Sequence, residues 1–315
     1  MAHGLSMRKI KVLVIGGAGF IGSHLLKGLI ETDREVTVLA RSLPPAQINH
    51  IGVNYIQGSY ADIDLLKKLL DHQDEVIQLA YATTPNTAFD DPLGDLNQNL
   101  PPMINLFIEA AKRKIKLLLI SSGGTVYGNV QTNLINERQI TKPISPYGVT
   151  KKVIEDYAYL FSQTHGLNYL CVRPGNPFGP GQAPFVGQGF VSTAMASVIN
   201  KKPLIIFGEG DTVRDYIYIG DLASGIILTL TRGRLFETYN IGTGVGHSNM
   251  EVLKKIEKLL ASNTNIIHQP ARLFDVKFNV LNSSKLQSDT GWKPKISLEE
   301  GLALHLNWLK KFLEG

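Results

Sequence analysis

The chain has 315 residues, an ordinary globular composition and a formal net charge of +5. Its single cysteine, Cys171, excludes an internal disulfide and indicates a reducing, cytoplasmic setting. Basic residues come in pairs and short groups, and no apolar stretch approaches the ~20 residues of a membrane span, so we expect neither nucleic acid nor a membrane as partner. Met1–Ser6 lacks a signal-peptide core, and Met7 is an alternative start.

The first predicted element is a buried strand followed by a glycine-rich turn. The apolar run Val12–Ile15 is followed by glycines at positions 16, 17, 19 and 22, and apolar residues then recur at helical spacing. A strand that turns through glycines into a helix binds a dinucleotide pyrophosphate, because backbone N–H groups and the helix dipole face the phosphates. The predicted cofactor contacts in this turn are Gly16, Gly19, Phe20, Ile21 and Gly22.

The second predicted strand, Val36–Leu39, leaves the choice between NAD and NADP open. In dinucleotide-binding folds an acidic residue near the end of this strand binds the ribose hydroxyls. Here the strand is followed by Ala40 and Arg41 instead. Arg41 could hold a 2′-phosphate, which favours NADP, or could lie exposed or against the adenine, which is compatible with NAD.

The remaining elements of the first half alternate between strand and helix. A small-residue turn at Leu79, Ala80 and Tyr81 is expected to face the cofactor. The alternation predicts an α/β fold with a doubly wound parallel sheet of the Rossmann type. In chain order the predictions are strand Val53–Gln57, helix Asp62–Leu70 with Asp62 as N-cap, strand Glu75–Ala80, helix Asp95–Lys114, strand Leu117–Ile120, a helix after Ser145-Pro146, and strand Leu167–Val172.

The pattern changes after Arg173-Pro174. Residues 175–189 are rich in glycine and proline and are interpreted as a loop, and the elements beyond it are shorter. We interpret residues 1–173 as a dinucleotide-binding domain and residues 174–315 mostly as a smaller, mixed α/β substrate domain. Parts of 205–245 are expected to return to the first domain. Helices are predicted near 190–200, 221–232, 249–261, 282–290 and 297–312, and strands near 204–207 and 239–240.

A tyrosine and a lysine at the start of the helix after Ser145-Pro146 form a candidate acid–base pair. Tyr147 and Lys151 are four residues apart and therefore share one helix face. A free tyrosine, with a pKa of about 10, is a poor base at neutral pH. A neighbouring lysine ammonium and a nicotinium ring would both favour the phenolate, which could then accept a hydroxyl proton. These residues predict hydride-transfer chemistry on an alcohol.

With these motifs the chain resembles the extended short-chain dehydrogenase/reductases of the NAD(P)-dependent nucleotide-sugar epimerase/dehydratase family, and in particular UDP-glucose 4-epimerases. The resemblance covers residues 9–312. It is carried by Gly16–Gly22, Ser121–Gly128, Tyr147–Lys151, Arg173–Pro180 and Arg214–Ile217.

The resemblance implies roles for individual residues. Tyr147 would be the base, and Lys151 its partner and a ligand of the cofactor ribose. Asn99, Ser121 and Pro174 would complete the cofactor site. On the substrate side, Asn176 would contact the sugar nucleotide, Arg214 and Arg272 its diphosphate, and Asp275 its ribose. No metal is implied, and the cofactor would be NAD or NADP.

One position departs from the family pattern. The catalytic serine or threonine of the family lies three residues before the valine of Val-Tyr-Gly, and that position is Gly123 here. Ser122 and Thr125 are the nearest hydroxyls, with a slight preference for Ser122. The Thr-Asp-Glu set of the family's dehydratases is missing from this stretch, which disfavours dehydration. Cys171 on a core strand and His165 at a helix end also disfavour the Cys/His mechanism of the GDP-sugar epimerase-reductases.

The sequence therefore predicts a UDP-sugar 4-epimerase that works through a transient 4-keto sugar and bound NAD(P). Two alternatives remain open: an NADPH-dependent 4-ketosugar reductase, favoured by Ala40-Arg41, and a dinucleotide-binding sensor or scaffold, favoured by Gly123. A homodimer is expected, because the resemblance implies pairing of the helices at 95–114 and 145–164.

Overall fold

The computed structural model describes residues 8–43 and 50–314; Met1–Ser6 and Met7 lie outside this part. Its first half alternates strands and helices, as the sequence predicts. The elements are β1 Ile10–Ile15, α1 Phe20–Glu31, β2 Arg34–Ala40, β3 Val53–Gln57, α2 Ile63–Leu70, β4 Glu75–Gln78, α3 Pro85–Asp90, α4 Pro92–Lys112, β5 Lys116–Ile120, α5 Pro146–His165 and β6 Asn168–Pro174.

The second half has shorter strands between its helices. Its elements are β7 Asn176–Phe178, α6 Phe190–Ile199, β8 Leu204–Phe207, β9 Val213–Tyr218, α7 Ile219–Arg232, β10 Thr238–Ile241, β11 Gly246–Ser248, α8 Asn249–Leu260, β12 Ile266–Gln269, β13 Phe278–Asn279, α9 Ser284–Thr290 and α10 Leu298–Glu314. No helix in the described residues is long and apolar enough to cross a membrane.

A seven-stranded sheet in the order β10-β6-β5-β4-β1-β2-β3 forms the centre of the molecule. All of its strand pairs are parallel, so the predicted doubly wound Rossmann sheet is confirmed. Chain order reverses between β1 and β4, where Ile15 lies opposite Gln78. Ligands bind such sheets in the crevice at this switch point, outside the carboxyl ends of the strands.

Helices bury both faces of this sheet. On one face, Leu25 of α1 and Ile226 of α7 pack on the valines of β1 and β2. On the other, Phe107 of α4 and Ile154 of α5 pack on β4 and β5. Because both faces are covered, the central strands are nearly continuous apolar runs in the sequence, and these runs were sufficient to locate them.

A separate apolar cluster lies in the second half and is formed mainly by α6, α8 and α10, with Met195, Val252 and Leu302 among its buried members. Strand β10 leaves this region and pairs with β6 of the large sheet. The division into domains at residue 173 stays a prediction.

Two helix starts follow the predicted capping chemistry. Asp62 caps α2 by accepting from the N–H groups of Asp64 and Leu65 at 3.2 and 3.1 Å. Ser145 Oγ caps α5 by accepting from Gly148 N at 3.1 Å, and proline occupies the first turn. Both caps satisfy N–H groups that would otherwise lack a partner.

The sequence interpretation missed two features near the site. Helix α3 precedes α4, because Thr84 caps it and Pro85 begins it. The stretch predicted as loop at 175–189 contains β7, which pairs in parallel with the unpredicted strand β9. Strand β7 has only three residues, so no periodicity could show it.

Candidate functional site

The turn after β1 lies at the crevice of the sheet. Gly16 has a φ of +84°, in the left-handed region, and its N–H donates to Leu39 O at 2.8 Å. Gly19 is the N-cap of α1, and no side chain caps the first helical turn. The N–H groups of that turn and the positive end of the helix dipole together form an anion-binding site.

Glycine is needed at different positions of this turn for different steric reasons. A Cβ on Gly16 would lie 2.8 Å from Ala80 N, and one on Gly22 would lie 2.5 Å from Gly17 Cα. Both positions therefore exclude a side chain by packing within the protein. At Gly19 the nearest atom to an added Cβ is Gly16 O at 3.3 Å, so the space beside Gly19 is left open for a ligand.

A cleft of about 320 Å³ opens over this turn. Its composition, with glycine backbone and a helix N-terminus facing polar side chains, fits a dinucleotide pyrophosphate. Leu79, at the end of β4, donates its N–H to Ile15 O at 2.9 Å and forms part of the wall. The cleft is lined by Gly16, Gly19, Phe20, Ile21, Gly22 and Leu79 on the cofactor side and by Asn176, Gln182, Gln188 and Tyr216 on the other.

Arg41 follows the last residue of β2, the strand beside β1. Its side chain is exposed, and its carbonyl accepts from Gln57 Nε2 at 3.1 Å. Arg41 therefore follows the strand after which the sequence puts no carboxylate. Arg41 stays a candidate for contact with the adenosine part of the cofactor.

Tyr147 and Lys151 meet Tyr81 at the carboxyl ends of β4 and β5. Lys151 Nζ donates to Ile120 O at 2.9 Å and lies 4.0 Å from the ring centroid of Tyr81. The Tyr81 and Tyr147 rings contact edge to face with centroids 4.8 Å apart, and Lys151 Nζ is 5.7 Å from the Tyr147 ring centroid. The structure therefore brings the predicted acid–base pair together, with Tyr81 in contact with both.

Burial controls the protonation of this pair. It lowers the pKa of Lys151 to about 8. Burial, followed by the negative charge of Asp95, raises the pKa of Tyr147 above its ordinary value. Desolvation penalises the phenolate, so the predicted lowering of the Tyr147 pKa by Lys151 and the nicotinium ring together stays a prediction for the cofactor-bound protein.

Gly123 occupies a position that has no room for a side chain. Its N–H donates to Pro174 O at 2.9 Å, and its carbonyl accepts from Asn279 Nδ2 at 2.6 Å. A Cβ there would lie 2.5 Å from Leu281 Cδ1 and 2.8 Å from Pro174 O. The packing of this turn therefore favours glycine at the position where the family has a serine or threonine.

Three residues with hydroxyl groups lie within two positions of Gly123 in the sequence. Ser121 Oγ and Thr125 Oγ1 are buried without a hydrogen-bond partner among the described residues. Ser122 is half-buried. A buried hydroxyl without a partner is costly unless a ligand or water supplies one. Ser122 and Thr125 both stay candidates for the missing hydroxyl, and Ser121 stays a cofactor candidate.

Asn99 lies behind the site rather than in it. Its side chain is fully buried; Oδ1 accepts from Ala82 N at 2.8 Å and Nδ2 donates to Asp95 O at 2.8 Å. Both ends of the amide form hydrogen bonds within the protein, so this structure does not show Asn99 positioned for a direct contact with the cofactor. The residue instead holds the turn after β4 against α4.

On the opposite side of the cleft, β7 and β9 present the predicted substrate residues. Asn176 of β7 lines the cleft and is paired in register with Tyr216 of β9. Arg214, two residues earlier on β9, donates from Nη1 to Val213 O at 3.0 Å. Burial lowers the pKa of Arg214, and the charges of Tyr216 and Asp275, which raise it, and of Arg272, which lowers it, have smaller effects.

Arg272 is held by an ion pair and packed against an aromatic ring. Its Nε and Nη2 donate to Asp275 at 2.8 and 3.1 Å, and its guanidinium lies 4.3 Å from the ring centroid of Phe207. A further bond joins Nη1 to Asn86 Oδ1 at 2.8 Å. Sequence reasoning missed Asn86 because it missed α3; the Thr84-Pro85 pair was the available signal.

The residues of the alternative Cys/His chemistry are placed elsewhere. Cys171 is buried on β6, and burial raises the pKa of its thiol. His165 is the last residue of α5, where its ring stacks on Phe161 with centroids 4.8 Å apart. Among residues 8–43 and 50–314, no group of three or more His, Cys, Asp or Glu side chains could hold a metal ion.

Comparisons with known proteins agree with this geometry. The chain is 33% identical over 304 residues to a putative UDP-glucose 4-epimerase of Methanocaldococcus jannaschii, covering 95% of this chain and 98% of the relative. The structure of Thermotoga maritima UDP-glucose 4-epimerase with UDP-glucose matches with a TM-score of 0.91 and 31% identity, covering 96% of this chain and 100% of that one.

A second solved structure bears on the cofactor. UDP-glucose 4-epimerase of Thermus thermophilus in complex with NAD matches with a TM-score of 0.89 and 30% identity, covering 96% of this chain and 99% of that one. The model of the NAD dependent epimerase/dehydratase family matches residues 12–242. With the Gly16–Gly22 turn and the Tyr147–Lys151 pair at the crevice, these matches show that the chain belongs to the NAD-dependent epimerase/dehydratase family.

Proposed function

We propose that this protein is a 4-epimerase of a UDP-hexose or UDP-N-acetylhexosamine that works with bound NAD. The observation that carries the proposal is the contact of Tyr147 and Lys151 with Tyr81, in a protein whose dinucleotide turn lines one cleft together with Asn176 of β7. The two related structures described above carry the name UDP-glucose 4-epimerase, which supports the choice of substrate class.

Tyr147 is the proposed proton acceptor. Its phenolate oxygen takes the proton of the sugar 4-hydroxyl while C4 gives up a hydride, and the C4–O bond becomes a carbonyl. The Gly16–Gly22 turn would hold the NAD, which when bound would supply the hydride acceptor and a positively charged nicotinium ring. That charge and the Lys151 ammonium oppose the burial that raises the pKa of Tyr147 in the free protein.

Epimerisation also requires the sugar to be held loosely while the nucleotide is held firmly. Arg214 and Arg272 are the proposed ligands of the diphosphate, because guanidinium groups form charge-assisted bonds to phosphate oxygens. Asp275 is proposed to bind the ribose of the nucleotide. Rotation about the diphosphate link then exposes the other face of the 4-keto ring, and return of the hydride and proton inverts C4 without net oxidation.

Dehydration is not supported by the chemistry of the turn before Tyr147. Removal of water needs an acid and a base beside the sugar, and residues 123–125 are Gly-Gly-Thr. The reductase alternative rests on Arg41, and the sensor alternative rests on Gly123.

Product analysis separates these functions. The NAD-loaded protein is incubated with UDP-glucose, UDP-galactose and their N-acetylhexosamine counterparts, and products are identified by NMR. An epimerase converts each active sugar into a mixture of C4 epimers with no net change in NAD. Stoichiometric oxidation of NADPH with a 4-keto sugar would establish the reductase instead. Absence of any product with intact dinucleotide binding would establish the sensor.

A further inference from the structure

Asn86 of α3 connects two segments that border the cleft. Its Oδ1 accepts from Arg272 Nη1 at 2.8 Å, and its Nδ2 donates to Gly187 O at 3.2 Å. Gly187 lies in the segment 181–189, which supplies Gln182 and Gln188 to the cleft wall. One amide therefore joins the helix after β4, the cleft wall and a proposed diphosphate ligand.

The hydrogen bond to Asn86, together with those to Asp275, fixes the orientation of the Arg272 guanidinium. A guanidinium has five N–H donors in one plane. Asp275 takes one donor from Nε and one from Nη2, and Asn86 takes one from Nη1. One N–H on each of Nη1 and Nη2 is left over, and these two donors are what a phosphate group can accept. The Phe207 face packs against the plane at 4.3 Å from the ring centroid and limits its rotation.

A second contact holds α3 against the same turn. The rings of Phe89 of α3 and Phe274 lie with centroids 4.5 Å apart. Arg272 also lies 5.1 Å from the Phe274 ring centroid. Helix α3 is thus docked on the Arg272 turn by both a polar and an aromatic contact, so the Asn86 side chain is not a freely moving surface group.

We infer that Asn86 is a positioning residue that orients Arg272 so that its two remaining N–H groups meet the diphosphate of a nucleotide sugar. The inference rests on the proposed function, since that function assigns Arg272 to the diphosphate. The neutrality of the amide is part of its suitability. Asp275 already offsets the charge of Arg272, and a second carboxylate would compete with phosphate for the same donors.

The test uses UDP alone, because it carries the diphosphate and avoids any dependence on turnover. Binding to the NAD-loaded protein is measured by calorimetry for wild type, Asn86→Ala and Asn86→Asp. We expect Asn86→Ala to weaken UDP binding about tenfold, the scale of one hydrogen bond to a charged group. Asn86→Asp keeps the acceptor atom but adds a negative charge, so we expect a larger loss that high salt partly reverses.

Two controls separate positioning from a structural role. Uridine lacks phosphate, so its affinity, measured by NMR titration, should be the same in wild type and Asn86→Ala. Asn54→Ala makes the same chemical change at an exposed position of the edge strand β3 and should leave UDP binding unchanged. Wild-type UDP affinity in Asn86→Ala, or an equal loss for uridine, overturns the inference. Failure of wild type itself to bind UDP while it binds NAD overturns the proposed function, and the inference with it.

Discussion

Thr150 Oγ1 donates a hydrogen bond to Asp95 Oδ2 at 2.6 Å and so joins α5 to α4 next to the proposed catalytic pair. Asp95 is fully buried, and a second hydroxyl, that of Thr83, bonds to its other oxygen. Hydroxyl bonds stabilise a carboxylate without cancelling its charge. Burial is the main cause that raises the pKa of both Tyr81 and Tyr147, and the charge of Asp95 raises both further.

Substitution Asp95→Asn should shift the pH dependence of catalysis. Loss of the negative charge lowers the pKa of Tyr147, so the phenolate forms at lower pH and the rising limb of the kcat profile moves to lower pH. The other titratable groups beside Asp95 are Tyr81 and Lys151. The measurement is kcat between pH 5 and 10 by coupled assay. Asp64→Asn removes an exposed carboxylate from α2 and should leave the profile in place; an unmoved profile in Asp95→Asn would contradict the electrostatic role.

Tyr147→Phe should lower kcat by about 10²- to 10⁴-fold, because it removes the proton-accepting oxygen. The fold should persist, since the aromatic ring and its contact with Tyr81 are retained. Lys151→Ala should be at least as harmful, because it removes the ammonium and a predicted ribose contact. Steady-state kinetics together with circular dichroism check both variants. Full activity in Tyr147→Phe would refute the mechanism and return weight to the sensor alternative.

Variants of the two residues beside Gly123 that carry hydroxyl groups should identify which hydroxyl assists Tyr147. If one hydroxyl replaces the family serine, either Ser122→Ala or Thr125→Val should lose about tenfold or more in kcat, the scale of one polar contact to a transition state. Full activity in both variants would mean that neither hydroxyl assists Tyr147.

Restoring a side chain at position 123 should not help. Gly123→Ala should destabilise the protein by about 1–3 kcal/mol, because its Cβ would meet Leu281 and the Pro174 carbonyl. Thermal unfolding of the variant beside wild type measures this. An unchanged midpoint would show that the turn relaxes at little cost.

The turn glycines should separate ligand binding from folding. Gly19→Val should abolish NAD binding in a folded protein, because its side chain enters the cleft and meets only Gly16 O at close range. Gly22→Val should instead prevent folding, since its Cβ would lie 2.5–2.6 Å from backbone atoms of Gly17. NAD titration by fluorescence and thermal unfolding distinguish the two. Wild-type NAD affinity in a folded Gly19→Val variant would exclude the assigned pyrophosphate site.

A homodimer through α4 and α5 is predicted from exposed apolar side chains on these helices. Leu93 is 68% exposed, Tyr159 60% and Leu160 47%. Burial of such residues against a second copy is favourable at about 25 cal/mol per Å² of apolar surface. Light scattering at micromolar concentration should give the dimer mass for wild type and for Ile267→Glu on β12, and the monomer mass for Leu160→Glu. A monomeric wild type contradicts the prediction.

Local patterns were sufficient for the sheet and the cofactor turn. Strand β2 and the cap of α2 at Asp62 occur where predicted, because a buried parallel strand and an N-cap each leave a signal within a few residues. The Gly16–Gly22 turn and the four-residue spacing of Tyr147 and Lys151 are local in the same sense.

Contacts between distant segments were decided only by the tertiary structure. Arg272 and Asn86 are 186 residues apart, and no local pattern couples an amide on an unpredicted helix to an arginine in a late turn. The closed space at Gly123 depends on Leu281, which lies two residues after β13, the strand that pairs with β9. The raised pKa of Tyr147 likewise depends on burial and on Asp95 from another helix. Desolvation and close packing are properties of the assembled fold, whereas hydrophobic patterns and helix capping depend on residues that are close together in the sequence.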